Sequence, residues 1–251
     1  MKLWKGFTLA EVLITLGIIG IVAAMTIPTL VHNYQKKVTI NRLKHTYATL
    51  MQVFKMAEVE HGPMSLWNMG QFAGTETTPA DARNYFVKTY MLPYLNGAEN
   101  PSGTLKTFGY NSDIKYPDGT VLLPITTNCN PIILKNGVFA IPSIASFRDD
   151  DNVKHFYALK LTVDINGNSG HNIVGEDVFI MVQLFDSKPI AFDGEYNWTF
   201  YYASNSFEYF EPITREELLG YCSQGNSLAR FCGALIKIDG WEIKDDYPWL
   251  K

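Results

Sequence analysis

Residues 7–31, FTLAEVLITLGIIGIVAAMTIPTLV, carry one charge in 25 positions, Glu11. As a helix rising about 1.5 Å per residue, the segment measures roughly 37 Å, against a bilayer hydrocarbon core of about 30 Å. It must bury its apolar surface in lipid or among other helices. A secretory signal peptide would need a shorter apolar region and a small-x-small cleavage site. Ala23-Ala24-Met25 is a poor one. A plain transmembrane anchor fits the length but leaves Glu11 unexplained, since a carboxylate at mid-span costs on the order of 2.5–3.5 kcal/mol. Nor does it explain a short basic leader that ends in Gly6, directly before Phe7.

The stretch Lys5-Gly6-Phe7-Thr8-Leu9-Ala10-Glu11-Val12-Leu13 resembles the N-terminus of type IV prepilins and of type II secretion pseudopilins. The resemblance rests on the basic leader, Gly-Phe-Thr-Leu, the offset of the Glu, the apolar run and a later proline, and covers roughly residues 1–60. It implies cleavage after Gly6 by a prepilin peptidase and methylation of the new N-terminal residue, Phe7. It also implies that Glu11, fifth in the mature chain, serves subunit assembly by pairing with a neighbour's N-terminal amine. An amine at Phe7 would lie one helical turn from Glu11, so an internal pairing is open too. Either pairing offsets the cost of a lone charge in a low-dielectric bundle. Pro28 lacks the N–H that would bond the carbonyl of Ala24, and a kink is expected there, at the family's helix-bending proline. Gly17, Gly20 and Ala24 would let helix backbones approach closely, as in a packed filament core.

Beyond Pro28, Ile40, Leu43, Tyr47, Leu50, Phe54 and Ala57 recur at helical spacing, and His61-Gly62-Pro63 ends the pattern. One helix of about fifty residues is therefore expected, apolar all round in its first half and one-faced in its second. The divisions are a leader at 1–6, a transmembrane and filament-core helix at 7–31, an amphipathic stem at 32–61 and a globular head at 62–251. Charge follows them. Residues 31–61 carry five basic and two acidic residues, whereas residues 62–251 carry 14 basic and 22 acidic, a net of −8. Lys36, Lys37, Arg42 and Lys44 could meet lipid headgroups or acidic neighbours, or form a solvated face. A head of net −8 disfavours nucleic acid as a partner, because phosphate-backbone binding needs clustered Lys and Arg.

In the head, Thr78-Pro79 reads as a cap and first-turn proline before a short helix over 80–90. Strands are expected over 119–125, 137–141 and 156–163, and a hairpin over 177–185 and 189–192 about Asp186-Ser187-Lys188. Thr214 and Glu217 form a capping box, and a further short helix is expected over 227–236. Cys222 and Cys232 flank a Gly/Asn/Ser turn ten residues apart. With the head outside the cytoplasm a disulfide between them is the natural reading, contributing roughly 3 kcal/mol. Cys129 is left over, as a buried thiol or as an alternative partner. The fold class is α+β and pilin-like: a long N-terminal helix on an antiparallel sheet, with a disulfide-stapled, Trp-rich C-terminal flap.

Asp164, Asn166 and Asn168 place oxygen side chains at alternate positions, which suits calcium. The loop resembles the start of an EF-hand but has Ser169 where that loop needs Gly, and Gly175 at the twelfth place. A plain Asx-rich turn is the competing reading, and the expectation is no cofactor. Trp198, Phe200, Tyr201, Tyr202, Phe207, Tyr209 and Phe210 would make a sugar- or partner-binding face, or core and cross-strand pairs. Asp149, Asp150 and Asp151 read as a solvated loop. The five histidines are scattered, and no catalytic motif such as HExxH, GxSxG or a P-loop occurs, so no enzymatic activity is expected. The resemblance implies a pilus or pseudopilus subunit at the bacterial inner membrane, head outside the cytoplasm, later in a periplasmic or surface filament. Its partners would be other pilin or pseudopilin subunits, prepilin peptidase, the inner-membrane assembly platform and, before assembly, membrane lipid. The alternatives are a tip adhesin or DNA-uptake pilin, or a membrane-anchored enzyme.

Overall fold

The structure, a computed structural model, describes residues 8–68, 78–148, 154–186, 188–195, 198–201, 206–209 and 213–249. The chain divides into two compact units, Met1–Val38 and Thr39–Lys251. The first helix, α1, is Leu9–His61 and contains Pro28 within its length, so the proline does not end it. In the first unit the apolar side chains are open: Leu9 is 78% exposed and Met25 73%. Among the described residues this is the one helix long and apolar enough to cross a membrane, by length and composition.

The second unit begins where α1 becomes one-faced. Leu43, Tyr47, Leu50, Val53, Phe54 and Ala57 are buried, while Arg42, Lys44, His45 and Lys55 are exposed. Each fully buried Leu contributes roughly 1.5–3 kcal/mol. Helix α2, Pro79–Phe86, starts on a capping box in which Thr78 and Asp81 hold each other's backbone N–H. The 80–90 helix expected from sequence is α-helical only that far. It continues as a π turn, Val87–Met91, which brings Val87, Tyr90 and Met91 all into the core.

Four short strands follow: β1, Gly103–Thr104, pairs β4, Asn128–Cys129, and β2, Ile114–Lys115, pairs β3, Val121–Leu123. The main sheet has five antiparallel strands in chain order: β5 (Ile132–Ile133), β6 (Phe139–Arg148), β7 (Lys154–Asp164), β8 (Val178–Leu184) and β9 (Ala191–Phe192). The register aligns Leu161 with Met181 and Met181 with Phe192, so these three share the core face with the buried Leu159 and Val163. Tyr47 of α1 stacks on Phe192 at 5.4 Å and meets Trp241 edge-on at 5.3 Å. Its hydroxyl donates to the carbonyl of Ile190 at 2.8 Å. The strands expected at 137–141 and 156–163 form one hairpin that runs further, to Arg148 and back from Lys154, with a bulge at Ala145/Ser146.

Helix α3, Arg215–Ser223, carries the Thr214–Glu217 capping box. The helix expected over 227–236 is two pieces, a 3₁₀ turn at Ser227–Phe231 capped by Asn226, and α4, Cys232–Ile238. Cys222 and Cys232 are disulfide-bonded and Cys129 is a buried free thiol. The C-terminal flap closes on one glycine. Tyr247 donates to the carbonyl of Gly175 at 2.6 Å, and Trp249 donates to that of Cys222 at 2.9 Å. Gly175 has φ 91°, and a Cβ there would lie 2.9 Å from Trp249 and 3.0 Å from the Cys232 sulfur. Only glycine suits it. Arg215 fixes the flap's other edge by paired bonds to Asp239 (2.6 and 2.9 Å) and to Asp246 (both 2.9 Å). The fold is α+β and pilin-like, a long N-terminal helix with an antiparallel sheet and a disulfide in the C-terminal region.

Candidate functional site

Gly6 and Phe7 lie outside the described residues. The site is described from Thr8 onward, where α1 begins on a reciprocal cap. The Glu11 carboxylate accepts from the Thr8 N–H at 2.9 Å and from its hydroxyl at 2.7 Å. Thr8 Oγ1 in turn accepts the Glu11 N–H at 3.3 Å. Two of the donors that a helix start leaves unsatisfied are thereby occupied. Negative charge in a first turn is also favoured by the helix dipole. The carboxylate thus has a local partner within the chain, besides the amine that the sequence reading considered. The signal was present as T-x-x-E at positions 8–11, the same pattern that marks Thr214. Gly17 and Gly20 have nothing within 4 Å of where a Cβ would stand, so their open sides are free for another helix.

The Asp164 loop is organised as a buried pin. Asp164 is fully buried; its Oδ2 accepts from the Tyr110 hydroxyl at 2.9 Å and its Oδ1 from the Asn166 N–H at 3.2 Å. Asp177 accepts from the backbone of His171 (2.9 Å), Asn172 (3.1 Å) and Ile173 (2.7 Å), and from the Asn166 amide at 3.3 Å. Burial, and then the nearby Asp177 charge, push the Asp164 carboxyl up to about 7. Asn168 is exposed and donates to the carbonyl of Phe108 at 2.9 Å. A cation here would have to displace donors already in place. Among the described residues no group of three or more His, Cys, Asp or Glu side chains is placed to hold a metal.

Of the aromatic segment, Tyr202 and Phe210 lie outside the described residues, as do Asp149, Asp150 and Asp151. The rest forms a separate two-stranded hairpin, β10 (Trp198–Tyr201) and β11 (Ser206–Tyr209). Trp198 is opposite Tyr209 and Phe200 opposite Phe207, which assigns those four positions to one face, with Tyr201 on the other.

No curated protein and no solved structure matches the chain. Residues 5–27 match the prokaryotic N-terminal methylation motif, which takes in Lys5 and Gly6 at the end of the leader, Phe7, the Thr8–Glu11 cap and most of the apolar run, and makes this a type IV prepilin-like protein. Residues 29–250 match the model of a family of unknown function (DUF6613), and the chain belongs to that family.

Proposed function

We propose that the protein is a minor pilin or pseudopilin, a structural subunit of a type IV pilus or of a type II secretion pseudopilus. The observation that carries this is the methylation motif at residues 5–27 set on the first half of a 53-residue helix. In this reading the precursor crosses the inner membrane once, with its head outside the cytoplasm. Prepilin peptidase cuts between Gly6 and Phe7, and Phe7 is methylated. Glu11 then exchanges its Thr8 partners for an amine as the helix joins its neighbours, and Pro28 lets the helix bend within the filament. The reading assigns neither a catalytic role nor a cofactor to the head. Co-expression of the precursor with a prepilin peptidase, followed by mass measurement of the N-terminus, tests it. Loss of residues 1–6 with one added methyl group is expected. An intact precursor beside a processed control substrate would refute it.

A second reading, a tip subunit whose head binds a sugar or protein, is favoured by the β10–β11 register, which assigns Trp198, Phe200, Phe207 and Tyr209 to one face. Glycan-array binding by the full chain in detergent, lost in W198A, would select it.

A further inference from the structure

We propose that Lys36 and Lys37, with Tyr34 one helical turn before Lys37, form a docking collar for anionic phospholipid headgroups at the surface of the membrane that the apolar run spans. The inference rests on the reading of that run as a membrane span, and it lies wholly within the first unit.

Four observations support it. Lys36 and Lys37 follow Val31 by five and six residues, about 8–9 Å along the helix. That is the depth of the headgroup zone, which adds roughly 5–8 Å on each side of the hydrocarbon. Next, no Asp or Glu occurs between Glu11 and Glu58. Among the described residues neither lysine has an ion-pair or hydrogen-bond partner. Third, Tyr34 is 67% exposed between the apolar run and the lysines, where amphipathic rings anchor helices at the membrane interface. Tyr34 and Lys37 are three apart, so the pair shares a face. Finally, if the head is exported, these lysines sit on the side that the positive-inside bias keeps clear of them. They also follow an apolar run and precede a head of net −8, which an anionic surface repels. Basic residues kept there against both tendencies match the charge of the lipid surface beside them.

The test uses the full chain in mild detergent, offered phosphatidylglycerol and phosphatidylcholine of the same acyl chains, with bound lipid read by native mass spectrometry. Retention of phosphatidylglycerol over phosphatidylcholine is expected at roughly five-fold per lysine. K36Q/K37Q should bring the ratio to parity. R42Q/K44Q should keep it, since those residues stand about 16–20 Å beyond Val31, near two Debye lengths. Parity in the wild-type chain, an unchanged ratio in K36Q/K37Q, or equal loss in both variants would overturn the proposal. So would a photo-cross-link from Tyr34→benzoylphenylalanine that labels an acidic protein surface and no lipid in anionic vesicles. Alkaline carbonate extraction separates the two levels. A chain released by carbonate sinks the membrane-span reading itself, whereas a retained chain without lipid preference sinks only the collar.

Discussion

One helix, α1, passes through two kinds of surroundings. In residues 9–31 its apolar side chains point outward in every direction and stay exposed, as Leu9 and Met25 do. From Leu43 onward one face is sealed under aromatic rings and sheet residues. Apart from the bond that Pro28 cannot make, the same α-helical backbone runs through both halves. What differs is where the compensating contacts come from. The second half finds them inside its own chain, as most protein helices do. The first half has to find them in lipid or in other subunits. A helix's stability is therefore no single property of α1: the head sets it at one end and the environment at the other.

Truncation breaks the comparison most sharply. Leu50→Ala in the buried half should lower head stability by about 2–5 kcal/mol, whereas Leu16→Ala in the exposed half should leave the melting midpoint of the detergent-solubilised chain unmoved. Equal shifts in the two variants would show that both halves melt as one unit. Next in size is the staple: replacing both Cys222 and Cys232 by Ser should cost roughly 3 kcal/mol in denaturant unfolding, with no effect on cleavage at Gly6.

Proton linkage at Asp164 distinguishes the head in a third way. Its carboxyl sits at about 7 when folded and near 3.9 when unfolded. The folded head therefore holds a proton that the unfolded chain gives up. That stabilisation is complete below about pH 4 and is lost as pH rises through about 7. Between those values Asp164 should lower stability by as much as about 4 kcal/mol, and Asp164→Asn, which keeps an acceptor for Tyr110, should flatten that slope. A slope unchanged in the variant would assign it to other groups. Smaller still are the caps. Thr214→Ala should cost about 1 kcal/mol of head stability, and Thr8→Ala none, because its helix start lies in the other unit. The smallest expected effect is that of calcium. Millimolar calcium should leave the melting midpoint in place, because the Asp164 and Asp177 oxygens already accept backbone and hydroxyl donors.

These contrasts also track what sequence could reveal. The apolar run, the stem periodicity and the Thr214 cap are local patterns, and each stands where the residues put it. The Cys222–Cys232 bond was legible because both partners flank one short turn. The Asp164 pin was not, since Tyr110 is 54 residues away and Asp177 reads in sequence only as the start of an expected strand. The π turn after α2 follows from burying Tyr90 and Met91 together, which no local propensity encodes. The Thr8–Glu11 cap is also local, a Thr-x-x-Glu pattern, but the same carboxylate reads equally as a lone charge in an apolar run.

Tyr47 has a consequence in time. Its hydroxyl accepts from the Lys237 ammonium at 2.6 Å, across 190 positions of chain, and the same ammonium also pairs with Glu195. Contacts of such sequence separation are slow to form, because a long loop must close before they are made. If the head crosses a membrane from stem to tail, as proposed above, it reaches Lys237 almost last. Until then Tyr47 lacks that partner, and the flap that closes over Gly175 has not arrived. Completion of the fold would then be tied to completion of delivery, and a chain cut short before residue 237 carries a stem whose buried face is left unfinished.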